Sequence, residues 1–480
     1  MTHKHNARLR RSLVGVMALA VALAASTSAA VPAGAAPGRA TADWDGFSLP
    51  IATRVAQLRG LAWKHPVRVD QFDDVAFEIR QASAGHFQSP DQRTHEQHTI
   101  AELRALGLLG DNIRIIDDLG PLGDGTALAF YDPINEIVTV RSSIPEEVRR
   151  VVVAHELTHA LDDQYFGIRG LQDGATTTEG ALATKSLIEG DAVRIQHLYA
   201  MNLPRADRAA LKKAYDAWQN NFVAPSRFGG NAEILQATEF APYLLGNSLV
   251  RNAAAKTGNK TADKLFAAPL MSTHQLFEPQ AATTSEQPVA VAPPVAHAGE
   301  EVLEPAGSFG QLLLFLVLSS RVDWNLALTE ADRWAGDSAI LVTKFGVSCV
   351  RARFTTHRAS DLIKLAGNLA DWADALGSEA STTISRSRTW VQLDACHQGV
   401  VTNPAQGKIK YAVQAAALRS AVSAQMLEQH KSPTVAECIG TAVATGNAAL
   451  VEATDQNQIA SADAVSGVSS AIKSAELSCH

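Results

Sequence analysis

The run Val151-Val152-Val153-Ala154-His155-Glu156-Leu157-Thr158-His159 constrains this chain more than any other stretch, because it puts an H-E-x-x-H pattern inside an apolar, helix-competent segment. Helical positions i and i+4 share a face one turn apart, so His155 and His159 can both reach one metal ion. Glu156 sits beside that pair, placed to hold a water near the metal rather than the metal itself. The bland alternative is an ordinary helix with two surface histidines. Three valines before the motif, and Leu157, Ala160 and Leu161 within and after it, argue for a buried helix instead. There, unpaired imidazoles would cost free energy unless bonded or ligated.

The helix has a readable start. Ser143-Ile144-Pro145-Glu146 fits a capping box with proline in the first turn, and the helix is expected to run to about Tyr165. Upstream, Ala127 to Tyr131 and Glu136 to Arg141 read as two short strands around the turn Asp132-Pro133-Ile134-Asn135. Such a hairpin either is plain scaffolding or offers an edge strand to an extended peptide, and the sequence leaves both open. Asp132 is expected to cap the turn, and Asp163 to lie behind the site.

A catalytic zinc usually takes three protein ligands and keeps one position open. The helical segment Thr178 to Met201 offers Glu179, Glu189 and Asp191. Residues two apart on a helix point about 200° apart, so Glu189 and Asp191 cannot both face one ion. One can ligate while the other orients a neighbour.

The strings HELTHALDDQYF and SLIEGDA together resemble the gluzincin type of zinc metallopeptidase, in which a glutamate on a second helix completes the site. More narrowly, the chain resembles a family of exported bacterial proteins carrying AFYDP, then HELTHAL, then EGDA. The likeness continues through Phe240 to Gly246 and Leu265 to Gln275, and weakly into Gly307 to Leu376. It implies Glu189 as the third ligand. Glu179 is the rival, since its distance from His159 equals the spacing of the thermolysin-like branch; that branch's aspartate four residues on is replaced here by Ala183. The chain also departs from the family after Ser272-Thr273, where His274 and Phe277-Glu278 stand instead of a Glu and a later His-Pro. His274 is therefore expected on the surface.

The first 35 or so residues read as a targeting segment: Lys4, Arg8, Arg10 and Arg11 give a basic start, Leu13 to Ala25 is apolar, and Ala33-Gly34-Ala35 offers a cleavage site. Adjacent Arg10-Arg11 admit the twin-arginine route beside the general secretory one. No later segment has 18 uninterrupted apolar residues, so no membrane span is expected, and a secreted protein is. Four cysteines, an even number in an oxidising compartment, suggest two disulfides. Three connectivities are possible. The favoured one joins Cys349 to Cys396 across two strands of a small domain and Cys438 to Cys479 across two terminal helices. A second zinc site is not favoured, because no C-x-x-C or C-x-x-H spacing occurs. A net charge of −7 without a basic run after the first segment gives no support to nucleic-acid binding.

The expected fold class is α+β and mostly helical: a zincin-like catalytic domain built on the HExxH helix, then a small α+β domain and a helical C-terminal hairpin. Its parts are residues 1–35 (signal peptide), 36–280 (metallopeptidase-like domain), 281–301 (a Pro-bearing linker or long loop), 302–400 (the small α+β domain) and 401–480 (the helical segment, turning near Thr454 to Asn457). The implied function is hydrolysis of a peptide or protein substrate. Zn²⁺ would sit on His155, His159 and Glu189, with Glu156 as general base. Tyr243, ahead of Tyr131, is the candidate to steady a developing oxyanion, though buried tyrosines more often only complete a core. The competing class is an exported, zinc-containing binding or scaffold protein without turnover. The intact Glu156 counts against it, because a purely structural zinc needs no base there.

Overall fold

A computed structural model describes residues 43–85, 90–110, 127–175, 177–221, 233–268, 270, 272–278, 287–377, 381–396, 408–447, 450–451 and 462–479. The targeting segment and the Thr454 to Asn457 turn lie outside these residues.

The chain is α+β and mostly helical. Helix α1 (Ser48–Arg59) leads into β1 (Arg68–Phe72), α2 (Asp74–Gly85) and α3 (Pro90–Ala105). The hairpin β2 (Ala129–Asp132) and β3 (Ile137–Arg141) follows, then α4 (Glu146–Phe166), which carries the H-E-x-x-H residues. Next come α5 (Ile168–Asp173), α6 (Thr178–Met201), α7 (Arg205–Asn221), α8 (Glu233–Thr257), α9 (Asn259–Ala267) and the single turn α10 (His274–Phe277). The second half holds β4 (Glu301–Gly307), α11 (Gln311–Ser319), α12 (Trp324–Arg333), β5 (Trp334–Lys344), β6 (Val347–Thr356) and α13 (Ala359–Asp374). It ends with β7 (Ser381–Arg386), β8 (Val391–Cys396), α14 (Lys408–Glu428), α15 (Pro433–Thr445) and α16 (Ala462–Glu476).

The small sheet runs β1-β3-β2, with β1 parallel to β3 and β2 antiparallel to it. Asp132 caps the hairpin as expected, accepting from the backbone N–H of Ile134 at 2.9 Å and from the Asn135 side chain at 2.6 Å. One face of this sheet (Val69, Val138, Val140, Tyr131) packs on α1 and the valine run of α4 in a shared core. The capping box is not formed. Pro145 is the extended residue at the helix start, with φ −52° and ψ 141°, and no side chain caps it. Ser143 lies too far upstream, and its hydroxyl donates to Asp74 instead. At the other end Gly167, with φ 65°, closes the helix by donating to Asp163 O, a left-handed conformation glycine adopts without strain.

The large sheet is antiparallel throughout, in the order β4-β5-β6-β8-β7. Helix α11 is buried along its whole length and forms the middle of a core that also takes in Leu187 and Ile188 of α6, Leu245 and Leu249 of α8, and Val350 and Phe354 of β6. The stretch 287–300, expected as a linker or long loop, carries no helix or strand but is fastened across the large sheet. The Val289 N–H donates to Ala335 O, Arg353 reaches Pro293 O, and Arg351 pairs with Glu300 at 2.6 Å.

Both disulfides form in the favoured pairing. Cys349 and Cys396 face each other directly across β6 and β8, and Cys438 of α15 bonds Cys479 just beyond α16. Two bridges fit an oxidising compartment. Among the described residues no helix is long and apolar enough to cross a membrane.

Candidate metal centre

Helices α4 and α6 cross with their inward faces in register. From Val151 to Asp162 every residue of α4 is buried, and so is nearly all of α6 from Leu182 to Gln196. Thr177 starts α6 by accepting from the Gly180 N–H at 3.0 Å. At the crossing, His155, His159 and Glu189 converge and could hold a metal ion, all three at 0% exposure. Glu189 Oε2 lies 3.3 Å from His155 Nε2 and 3.4 Å from His159 Nε2, and the two imidazole nitrogens are 2.9 Å apart. Donors bound at about 2.0–2.1 Å around a tetrahedral ion stand about 3.3 Å apart, so this triangle has the size such a site needs. Glu189 Oε1 and His159 Nδ1 have no hydrogen-bond partner among the described residues, and the donor set is the N,N,O kind that zinc accepts. The residues fit the ion.

Charge follows the same geometry. Burial alone would raise the Glu189 carboxyl, but His159, with His155, outweighs it and holds the group down to about 2. Burial keeps the His155 imidazole below its ordinary value, against the pull of Glu189. A neutral imidazole beside a charged carboxylate is the state in which both can ligate.

Glu156 stands apart from the triad. It is fully buried, neither carboxylate oxygen makes a regular hydrogen bond, and burial, reinforced by the charge of Glu189, pushes its carboxyl well above the usual range. Only the backbone of Tyr131 pulls the other way. That backbone has a particular orientation. The Arg141 N–H donates to Leu128 O at 3.0 Å, so in the antiparallel ladder Leu128, Phe130 and Asp132 turn their backbone groups to β3. Ala129 and Tyr131 therefore present theirs to the other edge of β2, which pairs with no strand among the described residues, on the Glu156 side.

The rival ligand is elsewhere. Glu179 lies ten positions before Glu189 on the same helix, about 15 Å along its axis. Its Oε1 accepts from the Ser272 hydroxyl at 3.0 Å and from the Thr273 N–H at 2.5 Å, and burial raises its pKa to about 8. Asp191 points away from Glu189, as the helical angle requires. It pairs at 2.6 Å with both Arg59 and Arg194. Arg59 in turn bonds Asp162 of α4 at 2.8 Å and Asp263 of α9 at 2.6 Å, so one buried guanidinium ties together the two helices that carry the triad.

Tyr243 of α8 lies with its ring stacked on His155, the centroids 6.2 Å apart. The Tyr131 hydroxyl donates to Asp163 at 2.9 Å, so it is engaged away from the triad. Asp163 also accepts from the Ile168 N–H, closing the end of α4. The surface expectation for His274 is wrong. The residue is only 3% exposed, 2.7 Å from Gln311 Oε1 and against Trp334, because Leu276 and Phe277 drag the turn into the core.

Two residues were missed in the sequence. Gln196, whose Oε1 is 3.0 Å from His155 Nδ1, is seven positions beyond Glu189 and so on the same helical face, a spacing that could have been noticed. Gly246 had no such signal. A Cβ there would collide with the Ser186 carbonyl, and one on Gly190 would collide with the Gly246 backbone, so α6 and α8 meet main chain to main chain beside Glu189.

Comparison with protein-family models, with curated proteins and with solved structures finds no match for this chain.

Proposed function

We propose that the chain is a zinc-dependent peptidase of gluzincin type, with His155, His159 and Glu189 as ligands and Glu156 as general base. The observation that carries this reading is one buried crossing with three donors at near-tetrahedral spacing and a second carboxylate held outside that set. Zinc bound there supplies Lewis acidity, polarising a carbonyl and making water more acidic. Glu156, the buried carboxylate outside the ligand set, takes the proton of the attacking water on a carboxylate oxygen and delivers it to the leaving nitrogen. The edge of β2 that pairs with no strand among the described residues, with the Ala129 and Tyr131 backbone turned toward it, suits an extended peptide pairing beside Glu156. Tyr243, its ring stacked on His155, is the candidate to steady the oxyanion.

One observation favours the second reading, a zinc-containing binding or scaffold protein. His155, Glu156, His159 and Glu189 are all at 0% exposure, so substrate would have to displace part of the surrounding structure. The experiment that separates the two is metal analysis with cleavage of a broad peptide library by the disulfide-bonded protein. Wild type is expected to carry about one zinc and to cleave, while Glu156→Gln keeps the metal and loses cleavage. Identical behaviour of the two on the library would leave only the scaffold. Glu189→Gln is expected to release zinc and Glu179→Gln to retain it.

A further inference from the structure

We infer that Gln196 is the positioning residue that holds His155 in its metal-binding tautomer, an inference that rests on the metal reading above. The side chain is 2% exposed and its Oε1 lies 3.0 Å from His155 Nδ1. A carbonyl oxygen can only accept, so this contact places the imidazole proton on Nδ1 and leaves the Nε2 lone pair aimed at Glu189 and His159. The reverse orientation of the amide would set N–H donors against Nδ1. The proton would then move to Nε2, where it blocks a metal. An amide can do either, and Gln196 Nε2 has no partner among the described residues to hold it in place. With a metal on Nε2 the proton has to lie on Nδ1, and Gln196 is the acceptor that holds it there.

Among the described residues no carboxylate reaches the Nδ1 of either imidazole. Metal-binding histidines commonly donate to a carboxylate, a backbone carbonyl or water. Here Asp162 and Asp191 are on Arg59, and Asp163 is taken by the Tyr131 hydroxyl and the Ile168 N–H. His159 Nδ1 has no partner among the described residues. One neutral amide is thus the whole outer support of the two imidazoles among these residues. It adds no negative charge, so Glu189 is the triad's single source of it.

The test is zinc affinity of the full, disulfide-bonded protein, measured by competition with a chromophoric chelator, together with the absorption spectrum of the Co²⁺-loaded form. Gln196→Leu is expected to weaken zinc binding by about 10- to 100-fold and to change the Co²⁺ bands. Gln196→Glu, which can only accept from Nδ1, is expected to bind at least as tightly as wild type. Leu198→Ala loosens the same helix on the side turned away from Glu189 and Gln196, where Leu198 packs on the valine core, and is expected to stay within about threefold of wild type. Wild-type affinity in Gln196→Leu would overturn the inference, as would equal weakening in Gln196→Leu and Gln196→Glu, or in Leu198→Ala and Gln196→Leu. In those cases wild type still binds its one zinc, and only the role of Gln196 fails. A wild type that binds none would sink the metal reading and this inference with it.

Discussion

Gly190 and Gly246 touch through their main chains, with no side chain between them, at the point where α6 passes α8. Glu189 is the neighbour of one, and Tyr243 lies one helical turn before the other. The contact thus fixes the separation between the ligand helix and the helix whose tyrosine covers His155.

A methyl group at this crossing would meet backbone, which cannot swing aside as a side chain can. Gly246→Ala and Gly190→Ala are each expected to lose about 1–3 kcal/mol in urea unfolding. The double variant should lose less than the sum, because both methyls widen the same gap. Additive losses would mean that the two glycines do not share one contact.

Arg59 is the second lever. Replacing it with Met leaves Asp162 and Asp191 buried with Arg194 as the remaining cation of the group, and a loss of about 3–5 kcal/mol is expected. Asp263→Asn should cost far less, because that side chain is 31% exposed and water can replace the bond. Equal losses for the two variants in chemical denaturation would contradict this ranking.

Glu179 should make stability fall as pH rises. Burial lifts its pKa from 4.5 to about 8, so the folded chain keeps a proton that the unfolded chain releases. Its contribution is complete below pH 4.5 and is lost as pH passes through about 8. Unfolding free energies at pH 5 and pH 8 should differ less in Glu179→Gln than in wild type. An unchanged difference would show that Glu179 is already charged when folded.

The disulfides close loops of similar length, with sequence separations of 47 and 41, so chain entropy assigns each about 4 kcal/mol at most. Their local effects should differ. Without Cys349–Cys396, β6 and β8 remain paired over six positions and should resist protease. Without Cys438–Cys479, α16 loses its covalent tie, and limited proteolysis should remove it first.

What the sequence disclosed follows the range of the interactions. His155, Glu156 and His159 are local, set by the helical repeat, and the opposite directions of Glu189 and Asp191 follow from the same repeat. The cysteine pairing was legible because strand and helix patterns flanked it. The strands β1, β4 and β7 were not, being short and at sheet edges, where half-exposed residues such as those of Ser381–Arg386 leave no apolar alternation. The Ser143 box failed because Pro145, not the serine, takes the extended position at the helix start. His274 was misjudged because its burial is decided by Leu276, Phe277 and the distant Trp334. Gln196 carried no chemical mark of its own, since a glutamine acquires meaning only from what it faces.

The guanidinium under the crossing also dictates an order of events. Arg59 meets Asp263 across 204 residues of sequence and Asp162 across 103. A chain that emerges amino end first displays α1 long before its last partner exists. The buried counter-charges of Arg59 come with α4 and α6, which carry Asp162 and Asp191. Closure of the crossing therefore waits on Asp162 and Asp191, while Asp263, 31% exposed, adds a bond that water can replace.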